Sequence, residues 1–131
     1  MSRRVVVTGL GALTPVGNNI SDFWINLLDG VSGAGPITRF DSTQFKTQFA
    51  CEVKDFVPTD FLDRKETRKL DMYAIYAMVA VSEAMADSKL DLEQIDLDRA
   101  GVIWGSGIGG LDTFLQAVSY THLTLPTIIT V

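Results

Sequence analysis

Apolar positions along the chain alternate between strand-like and helix-like spacing. Residues 4–8 are β-branched, carry three consecutive valines and stop at Gly9. They predict a short strand buried on both faces, as in a parallel sheet. Ile20, Phe23, Trp24, Leu27, Leu28 and Val31 then fall on one helical face, with Ser21 as the expected N-cap and Gly30 as the stop. Gly33, Gly35 and Pro36 predict a loop, and Phe49, Cys51 and Val53 alternate with small or polar residues as a half-buried strand does. Asp63 and Glu66 have capping-box spacing ahead of a basic helical turn. Residues 71–88 are good helix formers with almost no polar face before Ser82, which suits a central helix packed on several sides.

An acidic, leucine-punctuated connection over residues 89–99 leads to a predicted buried strand at 101–104. The glycines of GSGIGG then make a sharp turn, and Leu111, Phe114, Leu115 and Val118 restart helical spacing. The order β, α, β, α, β, α predicts an α/β fold with a mainly parallel sheet. The end of the chain, SYTHLTLPTIITV, breaks the pattern. Its threonines fit neither the helical nor the strand period, and Pro126 would interrupt either element.

With 47% hydrophobic and 21% charged residues among 131, the chain has the composition of a soluble globular domain or part of one. A net charge of −5 excludes a surface that tracks nucleic acid throughout, because phosphate binding needs a basic face. Any basic patch must be local. One cysteine forms no internal disulfide, and one cysteine with one histidine cannot complete a four-ligand zinc site. No metal or organic cofactor is expected. The apolar stretch after the N-terminal arginines is broken too early for a secretory core. The apolar run over 72–81 is about half of the ~20 residues that cross a bilayer. A cytoplasmic protein without a membrane partner is expected.

Several residues invite chemistry. Gly105, Gly107 and Gly110 satisfy G-x-G-x-x-G, but no carboxylate lies ~20 residues on, where a ribose partner belongs. For Gly9 and Gly11 a tight strand-to-helix turn suffices. Cys51 lies in a strand-like setting with no helix N-terminus following it, which favours a buried structural thiol. His122 has no evident partner and receives no role. Trp24, Trp104 and Met72, Met78 and Met85 sit at core-like spacings. Arg64, Lys65, Arg68 and Lys69 concentrate charge, with Lys65, Arg68 and Lys69 on one helical face. Such a patch either steers an acidic partner or is simply solvated.

The segments RRVVVTGLGALTPVGNN, PITRFD, FACEVKDF, DRKETRKLD and GVIWGSGIGG, in this order, resemble the opening of the beta-ketoacyl-[acyl-carrier-protein] synthase II family. The resemblance runs from Arg3 to Ala117. It implies a thiolase-like fold, layered αβαβα, of which this chain holds only the opening of the first half. It also implies a homodimeric acyltransferase of fatty-acid synthesis that transfers an acyl group to a cysteine and condenses it with malonyl-acyl carrier protein. The family's nucleophilic cysteine and two histidines lie further along than this sequence reaches, so no catalytic residue is assigned and the chain as given is expected to be inactive. Lys65, Arg68 and Lys69 match the surface that docks acyl carrier protein. Ile108, given room by Gly107, matches the isoleucine that gates the acyl-chain pocket. Residues 1–118 are thus expected to be family sequence, and 119–131 a tail of translated adapter or library sequence. Two other readings remain: a small nucleotide-binding module built on GSGIGG, and a non-catalytic synthase partner.

Overall fold

In a computed structural model of the chain, the backbone is described for residues 4–124 and the side chains for residues 4–120. The elements in chain order are α1 (Ile20–Leu28), β1 (Gly35–Pro36), β2 (Phe49–Ala50), α2 (Arg64–Thr67), α3 (Met72–Ser88) and α4 (Leu111–Thr124), with single 3-10 turns at Pro58–Asp60 and Leu97–Arg99.

The seventeen-residue α3 organises the rest. Ile75 and Val79, one turn apart, are its buried residues. Residues 9–12 lie along it in extended form. A Cβ at Gly9 would collide with Ala84 and Ser88, and one at Gly11 with Ala80 and Ala84. These two glycines therefore serve close backbone approach to a helix, and not the tight turn expected of them. The direction is antiparallel, since later residues of the segment meet earlier turns of α3. Two carboxylates of α3 complete the seam. Asp87 Oδ2 accepts from Leu10 N at 2.9 Å, and Glu83 Oε2 from Ala12 N at 2.8 Å. Glu83 Oε1 also accepts from Ile20 N at 2.8 Å, taking up a donor that the first turn of α1 leaves unpaired.

The N-cap of α1 is Asn19, not Ser21. Asn19 Oδ1 accepts from Asp22 N at 2.8 Å, while Ser21 already lies within the first turn. At the other end Gly30 is the stop, as expected, with φ +68°. Gly30 N donates to Leu27 O at 3.2 Å and Val31 N to Asn26 O at 2.9 Å, the paired bonds of a Schellman motif. The apolar face of α1 is less covered than its spacing predicts: Ile20 and Phe23 are half-buried, but Trp24, Leu27 and Leu28 are exposed because no described element lies over them.

The sheet departs from expectation. Residues 4–8 and 101–104 form no regular element and pair with no strand among the described residues. The sheet present is antiparallel, Gly35 opposite Ala50 and Pro36 opposite Phe49, in place of a parallel core. Val5 is 90% and Ile103 100% exposed, so their β-branched composition has no ladder to join. Cys51, just past the two-residue β2, is exposed and free, not buried. Trp24, Trp104 and Met78 are likewise exposed, whereas Met72 and Met85 are half-buried on α3. The helix α4 runs to Thr124, so the threonines at 121 and 124 do not end it. Pro126 and the rest of 125–131 lie outside the described residues.

Candidate functional site

The basic cluster sits on the short helix α2 and the turn that leaves it. Asp63 occupies the N-cap position, as its spacing with Glu66 predicts, but makes no side-chain capping bond. The turn closes through the backbone, with Glu66 N and Thr67 N donating to Asp63 O at 2.9 and 3.0 Å. Arg68 is the C-cap, and Lys69 N donates to Glu66 O at 2.9 Å, so the helical winding carries one residue further. Arg64, Lys65, Arg68 and Lys69 are all exposed. Their side chains make no ion pair or hydrogen bond among the described residues. Four cations are thus gathered on an acidic chain, with Asp63 and Glu66 in the same turn but no ion pair among the described residues.

Leu70 leads from this cluster to Asp71, the N-cap of α3. The Asp71 side chain makes no bond to its own helix. Its Oδ1 accepts instead from Thr113 Oγ1 in the first turn of α4. The GSGIGG turn lies between these anchors. Gly107 has open space at its Cβ position, and Ile108 is 78% exposed at the lip of a cleft of about 140 Å3 with Asp71, Met72, Tyr73 and Leu111. A larger cleft of about 400 Å3 opens on the other side of Tyr73, between Tyr76, Ala80, Trp104 and Ser106. The residues expected to border an acyl chain therefore lie between two clefts on the rim of α3. The strand that a nucleotide-binding reading of the same glycines needs before its turn forms no ladder among the described residues.

The segment facing the other side of α3 is fixed by aromatic contacts. Phe56 packs edge-on to Tyr76 at 5.3 Å and stacks on Phe61 at 5.5 Å, and Arg39 Nη2 donates to Tyr76 Oη at 2.9 Å. Two exposed carboxylates there titrate low. The Thr38 hydroxyl, 2.6 Å away, holds Glu52 below the ordinary carboxylate range. The backbone N–H and then the hydroxyl of Thr43 do the same for Asp41. Among the described residues no group of three or more histidines, cysteines, aspartates or glutamates is placed to hold a metal, and no helix is long and apolar enough to cross a membrane.

Glu83, Asp87, Asp71 and Thr113 were not singled out by sequence. The first two carried a usable signal: two carboxylates four residues apart share a face on an otherwise apolar helix. Asp71 and Thr113 carried none, being distant in sequence and each unremarkable in its own segment.

Comparison with known folds gives the class first. The chain superposes with TM-score 0.71 and 25% identity on a type II PKS ketosynthase, solved bound to the hexaketide and in complex with its acyl-carrier protein, over 91% of this chain and 30% of that one. It superposes with TM-score 0.64 and 35% identity on the ishigamide ketosynthase/chain length factor, over 71% of this chain and 23% of that one. The described residues are thus part of an α/β, thiolase-like ketosynthase fold. The sequence model of the family described as beta-ketoacyl synthase, N-terminal domain, matches residues 2–127, and the chain belongs to that family. Curated relatives include the 3-oxoacyl-[acyl-carrier-protein] synthase 2 proteins of Synechocystis sp. and Coxiella burnetii, each 50% identical over 109 residues, 83% of this chain and 26% of theirs. That of Staphylococcus aureus is 46% identical over 113 residues. The chain spans about a quarter of the length of these relatives.

Proposed function

We propose that this chain is the opening segment of a 3-oxoacyl-[acyl-carrier-protein] synthase, an acyltransferase that elongates fatty acyl chains in the cytoplasm as a homodimer. The observation that carries this reading is the exposed cluster of Arg64, Lys65, Arg68 and Lys69, whose side chains make no ion pair among the described residues, in a chain half identical to synthases of that name. On an acidic protein such a patch attracts an acidic partner and repels little of its own surface. Lys65, Arg68 and Lys69 receive the carrier protein. Gly107 and Ile108 border the path of its acyl group, where a β-branched side chain restricts entry.

The condensation forms a thioester on an enzyme cysteine, releases carbon dioxide from malonyl-carrier protein, and joins the resulting carbanion to the acyl carbonyl. That chemistry needs a thiolate of lowered pKa and donors for the developing oxyanion. Cys51 does not supply the thiolate: it lies just past β2, and no helix begins directly after it. The nucleophile and its two histidines belong to sequence beyond these residues.

A full-length synthase carrying this segment is expected to make 3-oxoacyl product from acyl- and malonyl-carrier protein, and the 131-residue chain alone to make none. Product from the isolated chain above a no-protein control, abolished by Cys51→Ala, would contradict this assignment.

A further inference from the structure

We infer that Asp71, Tyr73 and Thr113 are positioning residues for Ile108, clamping the GSGIGG turn against the start of α3 and so setting which acyl chains the pocket accepts. The inference rests on the reading of Ile108 as a border of that pocket. Ile108 itself is 78% exposed and touches too little to fix its own position. The residues on either side of it are held. Asp71 Oδ1 accepts from Thr113 Oγ1, and Asp71 Oδ2 lies 3.1 Å from where a Cβ on Gly110 would sit. Gly110 has φ +71°, so the backbone leaves the turn in a conformation that side-chain-bearing residues rarely adopt.

The Tyr73 ring meets the turn from the other side. A Cβ on Gly109 would lie 2.9 to 3.1 Å from three of its ring atoms, which leaves no room for a methyl group. Tyr73 also walls the larger cleft beside Trp104 and Ser106. The turn is therefore pinned by a carboxylate–hydroxyl bond at one end and by a ring packed on glycine next to Ile108. Because the anchors lie on α3 and its N-cap and on the first turn of α4, a change at either anchor moves Ile108 without altering its chemistry. Shifts of about 1 Å in groups far from the reacting atoms suffice to change rates by ~100-fold.

The test uses the full-length synthase carrying this segment and compares kcat/KM for hexanoyl- and hexadecanoyl-carrier protein. Gly109→Ala, which pushes the turn off Tyr73, is expected to change the ratio of long to short substrate by about tenfold, the low end of what one methylene of misfit produces in an apolar pocket. Tyr73→Ala alone, which removes the ring that the turn packs on, is expected to shift the ratio too. Thr113→Val, which removes the hydroxyl donor at constant shape, changes the ratio as well, and Thr113→Ser restores it. The Thr113 pair keeps the test decisive where Gly109→Ala does not fold. Ile108→Ala is the reference. A changed ratio for Ile108→Ala with wild-type ratios for Gly109→Ala and Thr113→Val overturns the positioning role alone. An unchanged ratio for Ile108→Ala overturns the pocket reading on which it rests.

Discussion

Glu83 holds two backbone donors at once, Ala12 N and Ile20 N, each at 2.8 Å. Both oxygens of one carboxylate are committed, and the negative charge lies at the positive end of α1. Hydrogen bonds to a charged group contribute ~1.5–3 kcal/mol each in favourable cases, and half-burial reduces this, so Glu83→Ala should cost about 2 kcal/mol. Glu83→Gln should be nearly as harmful, because one of its two positions would set an amide donor against a backbone donor. In the full-length synthase, hydrogen exchange at the amides of Ala12 and Ile20 is expected to accelerate in both variants. Unchanged exchange at both amides would remove Glu83 from its bridging role. The residue is also instructive about what a sequence conveys. Its charge and its spacing from Asp87 are visible, but its partners lie 63 and 71 residues away and are backbone groups that carry no sequence label.

At the scale of elements, local rules read α1 and α3 well because hydrophobic period and terminal residues agree there. Gly30 ends α1 and Asp71 begins α3 as expected. The start of α1 is ambiguous in the sequence because two residues capable of capping lie two positions apart, and only geometry decides between them. Asn19 has the extended backbone that a cap requires, φ −151° and ψ 168°, and its oxygen reaches Asp22 N. Asn19→Ala should therefore destabilise by about 1 kcal/mol, whereas Ser21→Ala should stay within about 0.5 kcal/mol. Denaturant midpoints of the two variants in the full-length synthase test this, and an equal or reversed order would contradict the assignment of the cap. The two predicted strands at 4–8 and 101–104 fail for another reason. A strand is a property of a pair, and composition announces a readiness to pair without supplying the neighbour. The concentration of basic residues was legible from charge density, but the docking role proposed for it came only from the family resemblance, and the anchors of the glycine turn are long-range contacts between segments that look independent.

Across the whole molecule, Ile75 and Val79 are the buried hydrophobic residues among those described, while Val5, Val7, Val102 and Ile103 are exposed. β-Branched segments of this kind are covered on both faces where they form parallel sheets, and here no described element covers them. The chain presents a basic surface on α2 and the turn after it, packed against the 3-10 turn at Pro58–Asp60, and a glycine turn clamped at the start of α3. The account stands on that surface receiving an acidic carrier protein. The most direct measurement is the affinity of the full-length synthase for acyl carrier protein across a salt series, for Lys65→Glu, Arg68→Glu and Lys69→Glu. Reversing an exposed charge should weaken binding by about three- to tenfold per site at low salt. The deficit should shrink toward physiological ionic strength, where screening acts over about 8 Å. Wild-type affinity for all three variants throughout the series would contradict the docking assignment.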